Sequence, residues 1–314
     1  MAQFDLTVVG ELNLDLILYG LPDELEPEKE LLANDLALTL GSSSAIFAHN
    51  LAVIGNQVGF ISRIGADALG KIALERLESG GVDVSRVRRV EGPTKTGLTV
   101  IVTGTSNRRI LTYPGAMFEM GYDDLDLDYL RSGKHFHLSS FYLHRALRPR
   151  LPELFEQMKR AGLGTSLDTN DDPEDRWEGL DDVLPFVDVL FVNEREAGKI
   201  AREDNMEAAV EKLAGLVKVV AIKLGARGAK VRQGKQEWTH EGFRVNAVDP
   251  VGAGDSFDAG FLHQYVRGAG LQACLAQGNM AGAFSTTRPG GTEAFREGPK
   301  WKEFLQQHGN EAAA

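Results

Sequence analysis

Short apolar runs alternate with helical patterns along most of this chain, and that order constrains the fold more than any other feature. The helical patterns span 45–54, 68–78, 149–161, 194–202 and 206–217. Strand-like runs accompany them at 4–9, 58–64, 135–139, 164–168, 187–193 and 217–224. This rhythm predicts a mostly parallel α/β sheet. Because no internal repeat or low-complexity linker divides the chain, we predict a single domain over 1–314.

Two regions break this rhythm, at about 12–40 and 96–113. There, alternating strand patterns such as 97–102 and 109–112 follow one another without an intervening helix. These regions could pair into a small separate sheet. Arg109 lies on one of the strands, and since alternation places half of the residues on each face, the sequence leaves its direction open.

The composition restricts the classes of partner. The 314 residues are 43% hydrophobic and 25% charged, with a formal net charge of −11. Nucleic acid or an anionic membrane would call for a basic face, so neither is expected as a partner. The single Cys274 excludes an internal disulfide. No charged-plus-apolar leader or run of 18 apolar residues occurs, and a cytoplasmic location is predicted.

The segment DPVGAGDSF, at 249–257, places a glycine turn, a helix start and a carboxylate within a few residues. Phe257, Phe261 and Tyr265 follow at four-residue spacing, which predicts an amphipathic helix opening at 254 or 255. The first N–H groups of a helix can cradle an anion, and Asp255 could accept a proton from a substrate hydroxyl. Taken alone, such a segment is more often a strand-to-helix turn with an acidic cap.

The same segment resembles the Asp-Thr-x-Gly-Ala-Gly-Asp signature of the ribokinase-like (PfkB) carbohydrate kinases, with Pro250 in place of Thr. The resemblance covers nearly the whole chain. It implies a doubly wound sheet sandwiched by helices, with a small β-sheet lid formed by about 12–40 and 96–113. Lid edges of this family often serve in dimer formation, so a homodimer is a further expectation. The implied site comprises an anion hole at Gly252, Ala253 and Gly254, the base Asp255, and a monovalent cation site, such as one for potassium, at Asp249 and Val251.

The resemblance also implies a substrate site. GELNLD, at 10–15, would place Asn13 and Asp15 on sugar hydroxyls, although alone they read as turn residues. GSSSAIFAHN, at 41–50, resembles the family's Gly-Gly-x-x-x-Asn run, with Gly41 and Ser42 facing substrate; capping is the alternative for the serines. Asn170 belongs to an Asp-x-Asn segment whose fifth position, Asp172, is an arginine in kinases of acidic sugars. That difference predicts a neutral sugar, since a carboxylate there would repel an anion.

Three further motifs would serve the nucleotide. NERE, at 193–196, resembles the family's Asn-x-x-Glu element, in which Asn193 and Glu196 organise magnesium largely through water. Alone, a glutamate there could simply satisfy the helix dipole. KLGARG, at 223–228, matches a nucleotide-site turn in which Lys223 could meet phosphates and Gly225 and Gly228 permit the turn. Asn279 falls in the implied adenine region.

These patterns predict an ATP-dependent, magnesium-requiring kinase that phosphorylates a hydroxymethyl oxygen of a small, neutral sugar. A nucleoside kinase of the same fold is the near alternative, with Ile46 and Phe47 facing a base. A non-catalytic sugar or nucleotide sensor is the distant one, since fold does not fix function. A generic dinucleotide-binding protein comes last, because no Gly-x-Gly-x-x-Gly follows the first strand, and no P-loop motif occurs.

Overall fold

A computed structural model describes residues 2–104 and 107–308 of the chain. The strands in this part are β1 (Phe4–Val9), β2 (Asn13–Tyr19), β3 (Asp35–Leu40), β4 (Val58–Gly65), β5 (Asp83–Val90), β6 (Gly97–Thr103), β7 (Arg108–Tyr113), β8 (Gly133–Ser139), β9 (Gly164–Asp168), β10 (Val189–Asn193), β11 (Val219–Lys223), β12 (Ala229–Gln233) and β13 (Gln236–His240). The α-helices are α1 (Ser43–Val53), α2 (Ala68–Ser79), α3 (Leu127–Arg131), α4 (Leu151–Arg160), α5 (Glu194–Ala201), α6 (Met206–Ala214), α7 (Ala253–Tyr265), α8 (Leu271–Ser285), α9 (Glu293–Arg296) and α10 (Gly298–His308).

Nine strands form the larger sheet, in the order β13-β12-β11-β10-β9-β8-β1-β4-β5. Every neighbouring pair from β11 to β5 is parallel, and β12 and β13 add an antiparallel hairpin at one edge. The predicted α/β class with a mostly parallel sheet is therefore confirmed. All six strands read from the sequence are present, whereas β5 and the β12–β13 hairpin were not among them. β5 and β13 are the edge strands of the sheet and β12 lies next to β13; all three carry charged, partly exposed residues.

The larger sheet is buried on both faces, which explains why its strands read as continuous apolar runs. In β10, Leu190 and Val192 pack into the cluster on one face, while Phe191 packs into the cluster on the other. The prediction that α7 is amphipathic was wrong in its first turns. Residues 255–262 are all buried, because α1 and α8 pack against this helix as well as the sheet.

Four strands form the smaller sheet, in the order β3-β2-β6-β7. They come from the two regions that break the strand–helix rhythm. The outer pairs are antiparallel, and the central pair, β2 with β6, is parallel. The cross-strand partners Asp15, Thr99 and Thr112 share one face of this sheet. Leu36, Leu111 and Tyr113 lie on the other face and are more than half exposed.

Across the described ranges 2–104 and 107–308, none of the helices combines the length and the apolar character needed to cross a membrane.

Candidate active site

A cavity of about 250 Å³ lies where the smaller sheet faces the N-terminus of α7. In doubly wound sheets, ligands bind at the carboxyl ends of the strands, and β1, which ends at Val9 just before Glu11, leads into this cavity. Of the residues predicted for the site, the cavity wall brings together Asn13, Asp15, Ser42, Val251, Gly252 and Asp255. Residues as far apart in the chain as Asn13 and Asp255 thus share one small, polar space.

The glycine turn before α7 has a conformation that requires glycine. Gly252 has a φ of 73°, and a Cβ at this position would lie 2.4 Å from the Gly291 Cα. In the first turn of α7, described backbone acceptors serve the N–H groups of Ala253 and Ser256. The N–H groups of Gly254 and Asp255 have no partner within the helix, as at any helix start. These donors and the helix dipole favour an anion at this point.

Asp255 opens onto the cavity with its carboxyl group buried. Burial and the nearby carboxylate of Asp168 raise the pKa of Asp255 to about 7, against the opposing influence of Lys223 and a hydrogen bond with Ser43. A group with a pKa near neutrality can accept a proton and release it again at physiological pH. The structure therefore gives Asp255 the burial and the pKa that suit a general base.

Asp15 faces the same cavity from β2. Burial and the charges of Asp255 and Asp249 raise its pKa to about 7. Gly41 permits this position, because a Cβ there would lie 2.2 Å from the Asp15 Oδ1. Asn13 shares this face of β2 and donates from Nδ2 to the Thr99 hydroxyl at 3.2 Å. A carboxylate and an amide side by side can bind neighbouring hydroxyl groups.

Ser42 adopts a φ of 67°, a backbone conformation that favours glycine, at the position where the resembling family has glycine. Its hydroxyl donates to the Asn13 Oδ1 and accepts from the Asn13 N–H at 3.0 Å. The alternative assignment of Ser42 as a side-chain cap of α1 was wrong, since it makes no capping hydrogen bond. Ser42 instead fixes the orientation of Asn13.

Lys223, at the end of β11, lies beneath the glycine turn. Its Nζ donates to the Asp168 Oδ2 at 2.6 Å and lies 3.4 Å from both oxygens of Asp258. Burial disfavours the charge, but the two carboxylates outweigh it and raise the pKa of Lys223. A Cβ added at Gly254 would lie 3.3 Å from this ammonium group. The structure thus places Lys223 inside a buried ion-pair cluster; a contact with nucleotide phosphates remains a prediction.

The other residues predicted for the nucleotide lie close to one another but do not line the cavity. Gly225 and Gly228 have φ values of 61° and 94° in the turn after β11. A Cβ at Gly228 would lie 2.1 Å from the carbonyl oxygen of His240. Asn279, on α8, donates from Nδ2 to that same oxygen at 2.9 Å. Gly228 and Asn279 therefore meet at His240, beside the hairpin at the sheet edge.

Asn193 and Glu196 form a capping box at the start of α5. The Asn193 Oδ1 accepts the Glu196 N–H at 2.9 Å, and the Glu196 Oε2 accepts the Asn193 N–H at 2.8 Å. Burial and the charge of Asp168 raise the pKa of Glu196 to about 7. Within 2–104 and 107–308, no group of three or more His, Cys, Asp or Glu residues could hold a metal ion. One buried carboxylate fits magnesium, which keeps most of its waters and takes few protein ligands.

Asp249 is held by donors from three parts of the chain. Its Oδ2 accepts from the Tyr19 hydroxyl at 2.9 Å and the Gly290 N–H at 3.0 Å, and its Oδ1 accepts the Val251 N–H at 2.9 Å. Tyr19 belongs to β2, so this carboxylate ties the smaller sheet to the segment that precedes α7. A monovalent cation at Asp249 and Val251 remains a prediction.

Asn170 reaches the cavity through a neighbour. Its Nδ2 donates to the Ser140 hydroxyl at 3.0 Å, and Ser140 lines the cavity. The Ser140 hydroxyl in turn donates to the Glu11 Oε1 at 2.7 Å. The sequence reasoning missed Glu11, Ser43 and Ser140 as cavity residues. Glu11 was detectable as a carboxylate between Gly10 and Asn13, whereas nothing local marks Ser140.

Glu11 is fully buried beside His144, with 3.5 Å between the Glu11 Oε2 and the His144 Nε2. Burial disfavours its charge, but His144 and two serine hydroxyls outweigh that effect and lower the pKa of Glu11. Glu11 is therefore an ionised carboxylate at the cavity wall, and the two serine hydroxyls donate hydrogen bonds to its oxygen atoms.

The expectation that Asp172 faces the substrate was wrong. The Asp172 carboxylate accepts the N–H groups of Glu174, Arg176 and Trp177 in its own loop, at 2.8–3.0 Å, and does not line the cavity. The argument from Asp172 for a neutral sugar therefore loses its basis. Arg109 does not line the cavity either; its neighbour Arg108 does, because the β6–β7 register puts Arg108 on the same face as Thr112.

The family is decided by a match over residues 3–297 to the model of the pfkB family carbohydrate kinases. The chain belongs to the pfkB family. A relative in this family is the ATP-dependent ribose-1-phosphate kinase of Halopiger xanaduensis, 32% identical over 81% of this chain and 82% of its own. Its name and those of other members agree with a phosphotransferase that acts on a hydroxyl group.

Solved structures of pfkB-like proteins share the architecture. Ribokinase of Arabidopsis thaliana, in complex with ribose and ATP, has a TM-score of 0.81 and 25% identity, covering 98% of this chain and 99% of its own. Adenosine kinase of Sinorhizobium meliloti has a TM-score of 0.84 and 20% identity, covering 96% of this chain and 100% of its own. The ribokinase-like fold, including the small second sheet, is thereby confirmed.

Proposed function

We propose that this pfkB-family kinase transfers the γ-phosphoryl group of ATP to a hydroxymethyl oxygen of a small sugar. The observation that carries the proposal is the position of Asp255. Its buried carboxyl group, with a pKa near 7, lies in the cavity wall directly beside the first N–H groups of α7. A base for the attacking hydroxyl and a cradle for the transferring group are thus adjacent, as phosphoryl transfer requires.

Each step of the proposed reaction can be assigned to particular residues. Asp15 and Asn13 bind sugar hydroxyls and orient the substrate, so that its hydroxymethyl oxygen reaches Asp255. Asp255 accepts the hydroxyl proton as that oxygen bonds to the γ-phosphorus, while the bond from phosphorus to the leaving ADP oxygen breaks. The N–H groups of Gly254 and Asp255, which have no partner within the helix, receive the charge on the transferring group.

Magnesium belongs to this proposal because the donor set fits it. Glu196, oriented by Asn193, would hold the ion largely through water, and the ion would neutralise phosphate charge. Lys223, Gly225, Gly228 and Asn279 are proposed to bind ATP, with Lys223 acting from beneath the turn. Potassium at Asp249 and Val251 is proposed as an activator of the same turn.

The Asp15 and Asn13 pair supports a sugar more directly than a nucleoside. For a nucleoside kinase, Ile46 and Phe47 would have to face a base. Ile46 lines the cavity, but Phe47 is fully buried and stacks on His137 at 4.0 Å between ring centroids. A non-catalytic sensor has no need of the raised pKa of Asp255. The sensor therefore has no specific supporting contact, and the nucleoside alternative is supported by Ile46 alone.

The outer face of the smaller sheet is proposed to bind a second copy of this chain. Leu36, on edge strand β3, and Leu111, on edge strand β7, are 62% and 59% exposed. Monomeric proteins rarely leave an apolar sheet face and two free strand edges uncovered. A homodimer through this face would cover the two exposed leucines.

The test is ADP formation from Mg-ATP with ribose, fructose, 2-keto-3-deoxygluconate, tagatose 6-phosphate, ribose 1-phosphate, adenosine and inosine, with and without potassium. Ribose 1-phosphate is included because it is the substrate in the name of the Halopiger relative. We expect turnover of a sugar that rises with pH through about 7, as Asp255 ionises.

Asp255→Asn is expected to bind ATP while losing about 100- to 10,000-fold in kcat, the usual contribution of a general base. Asp172→Asn is the matched control, because that carboxylate serves its own loop. Near-normal turnover in Asp255→Asn would reject the assignment of the base. ATP binding without turnover of any compound on the panel would favour the sensor.

A further inference from the structure

Arg108 is the one basic residue among the described residues that line the cavity. It stands at the start of β7, where it pairs with Thr103 of β6. Side chains alternate along a strand, so Arg108, Ile110 and Thr112 share the face that lines the cavity. Arg109 lies on the opposite face of the smaller sheet. Arg108 therefore faces the cavity, whereas Arg109 faces away from it.

The cavity is chemically divided along β7. At one end, Thr112 pairs with Thr99, which in turn pairs with Asp15, so this end carries the carboxylates of Asp15 and Asp255. Arg108 lies four residues before Thr112 in β7, which corresponds to roughly 13 Å at the usual rise per residue. Ile101 and Ile110 lie between the two ends. A ligand that fills the cavity thus meets acids at one end and a guanidinium at the other.

The charge of Arg108 is not matched by the protein. Its guanidinium forms no ion pair with a carboxylate within 2–104 and 107–308. Arg108 is exposed, so water can solvate its guanidinium, and a bound ligand would have to replace that water. A neutral sugar would leave the guanidinium in the cavity with hydroxyl groups alone. A guanidinium binds phosphate and carboxylate groups through two parallel hydrogen bonds.

We propose that the sugar substrate carries a phosphate or carboxylate group at the end remote from its phosphorylated hydroxyl, and that Arg108 binds this group. The inference rests on the proposed kinase function and names its substrate class. The acceptor hydroxyl lies at Asp255, and the anionic group lies at Arg108, away from the acidic end. This orientation separates the anionic group from Asp15 and Asp255, which would repel it, and pairs it with the unmatched cation.

The experiment compares matched sugars that each keep a free hydroxymethyl group. The pairs are ribose with ribose 1-phosphate and fructose with fructose 6-phosphate, and 2-keto-3-deoxygluconate tests a carboxylate. We expect the wild-type protein to have a higher kcat/KM for the anionic member of a pair. A larger kcat/KM for the sugar phosphates would indicate a phosphate on the substrate, and a larger kcat/KM for 2-keto-3-deoxygluconate would indicate a carboxylate.

Arg108→Gln removes the charge and keeps most of the length of the side chain. It should lower the ratio of anionic to neutral kcat/KM by about 10- to 100-fold, the usual size of a charged hydrogen bond, through a higher KM for the sugar. Arg109→Gln, one residue away on the opposite face, is the matched control and should keep the wild-type ratio. The KM for ATP should stay unchanged in both variants.

Three results would overturn the inference while leaving the kinase intact. One is a wild-type preference for the neutral member of each pair. Another is an equal loss for neutral and anionic sugars in Arg108→Gln. The third is a rise in the KM for ATP in that variant, which would assign Arg108 to the nucleotide phosphates.

Calorimetric binding of ribose 1-phosphate, fructose 6-phosphate and 2-keto-3-deoxygluconate separates this inference from the proposed function. Binding that Arg108→Gln abolishes, without turnover of any sugar by the wild-type protein, would uphold the anionic ligand and reject the kinase. Failure of all three compounds to bind the wild-type protein would overturn the inference.

Discussion

The two sheets of this protein distribute polarity in opposite ways. In the larger sheet, both faces are covered, and residues 189–192 of β10 are completely buried. In the smaller sheet, the face with Asp15 and Thr99 turns to the cavity, whereas Leu36, Leu111 and Tyr113 on the other face are more than half exposed. A sheet normally buries its apolar face. The larger sheet is therefore organised by its core, whereas the smaller sheet turns a polar face to the cavity and leaves part of its other, apolar face exposed.

The same division separates the chemistry. Asp168 and Lys223 are the last residues of strands in the larger sheet, and Asp255 lies in the first turn of the helix that packs on it. Asn13, Asp15 and Arg108 belong to the smaller sheet. We propose that the first set performs phosphoryl transfer and the second recognises the sugar, so substitutions in the two sheets should change different quantities.

The largest difference should be in stability. Phe191→Ala removes a ring that packs on Phe257 and Phe261 in the core, and we expect it to lower the free energy of unfolding by about 3–5 kcal/mol. Leu111→Ala, in the smaller sheet, should change it by no more than about 0.5 kcal/mol. Urea unfolding of both variants measures the contrast. Equal losses would mean that the outer face of the smaller sheet is packed in solution as tightly as the core.

Gly41→Ala sharpens the comparison in the site. The added Cβ would lie 2.2 Å from the Asp15 Oδ1 and must displace that carboxylate. A displacement of this kind can lower kcat/KM for the sugar by about 100-fold. The control is Gly121→Ala, where a Cβ meets nothing within 4 Å and φ is −108°. Steady-state kinetics with unchanged kcat/KM in Gly41→Ala would separate Asp15 from substrate binding.

Asp255 should lower stability at the pH at which it works. Its pKa is raised from 3.8 to about 7, so the folded protein binds the proton more tightly than the unfolded chain does. Its contribution is therefore intact below about pH 4, is lost as the pH rises towards 7, and changes no further above that. Asp255→Asn should be more stable than the wild-type protein at pH 8 by at most about 4 kcal/mol, the free energy that corresponds to a pKa raised from 3.8 to about 7, with little difference at pH 4.

Thermal unfolding between pH 4 and pH 8 measures this dependence. Asp172→Asn again serves as control, because its carboxylate accepts three backbone N–H groups and its loss should destabilise the protein. A stability difference between Asp255→Asn and wild type that does not grow with pH would contradict the raised pKa.

The smallest expected effect on stability comes from the outer face of the smaller sheet. Leu36→Gln with Leu111→Gln should leave the free energy of unfolding per chain within about 0.5 kcal/mol of the wild-type value in a monomeric sample. Light scattering should show a shift from dimer to monomer. Leu216→Gln replaces a 45% exposed leucine outside the smaller sheet and should leave the dimer intact. A wild-type protein that is already monomeric would reject the proposed homodimer.

The strands of the larger sheet could be predicted because strands that are buried on both faces consist of continuous apolar runs. The edge strand β5 was missed because it carries arginines on a partly exposed edge. The helix α7 was placed correctly, within one or two residues, from Phe257, Phe261 and Tyr265. Its burial on all sides was not predictable, since α8 and α1 come from distant parts of the chain.

The direction of Arg108 and Arg109 shows the limit of strand patterns. Alternation places the two side chains on opposite faces, but only the pairing of β7 with β6 decides which face meets the cavity. The hydrogen bonds of Ser42 with Asn13, and those of Asp172 within its own loop, could not be predicted from the sequence either. Each depends on a backbone conformation that the neighbouring residues alone do not specify.

By itself, the sequence determined the α/β class, the glycine turn with Asp255 at the start of α7, and the family to which the chain belongs. These are local features, because strand periodicity, glycine conformation and helix starts act over a few residues. Only the tertiary structure decided that Lys223 is paired with Asp168 and Asp258, that Asp15 and Asp255 have pKa values near 7, and that Arg108 faces the cavity. Burial and charge at a site depend on residues far apart in the chain, and folding alone brings them together.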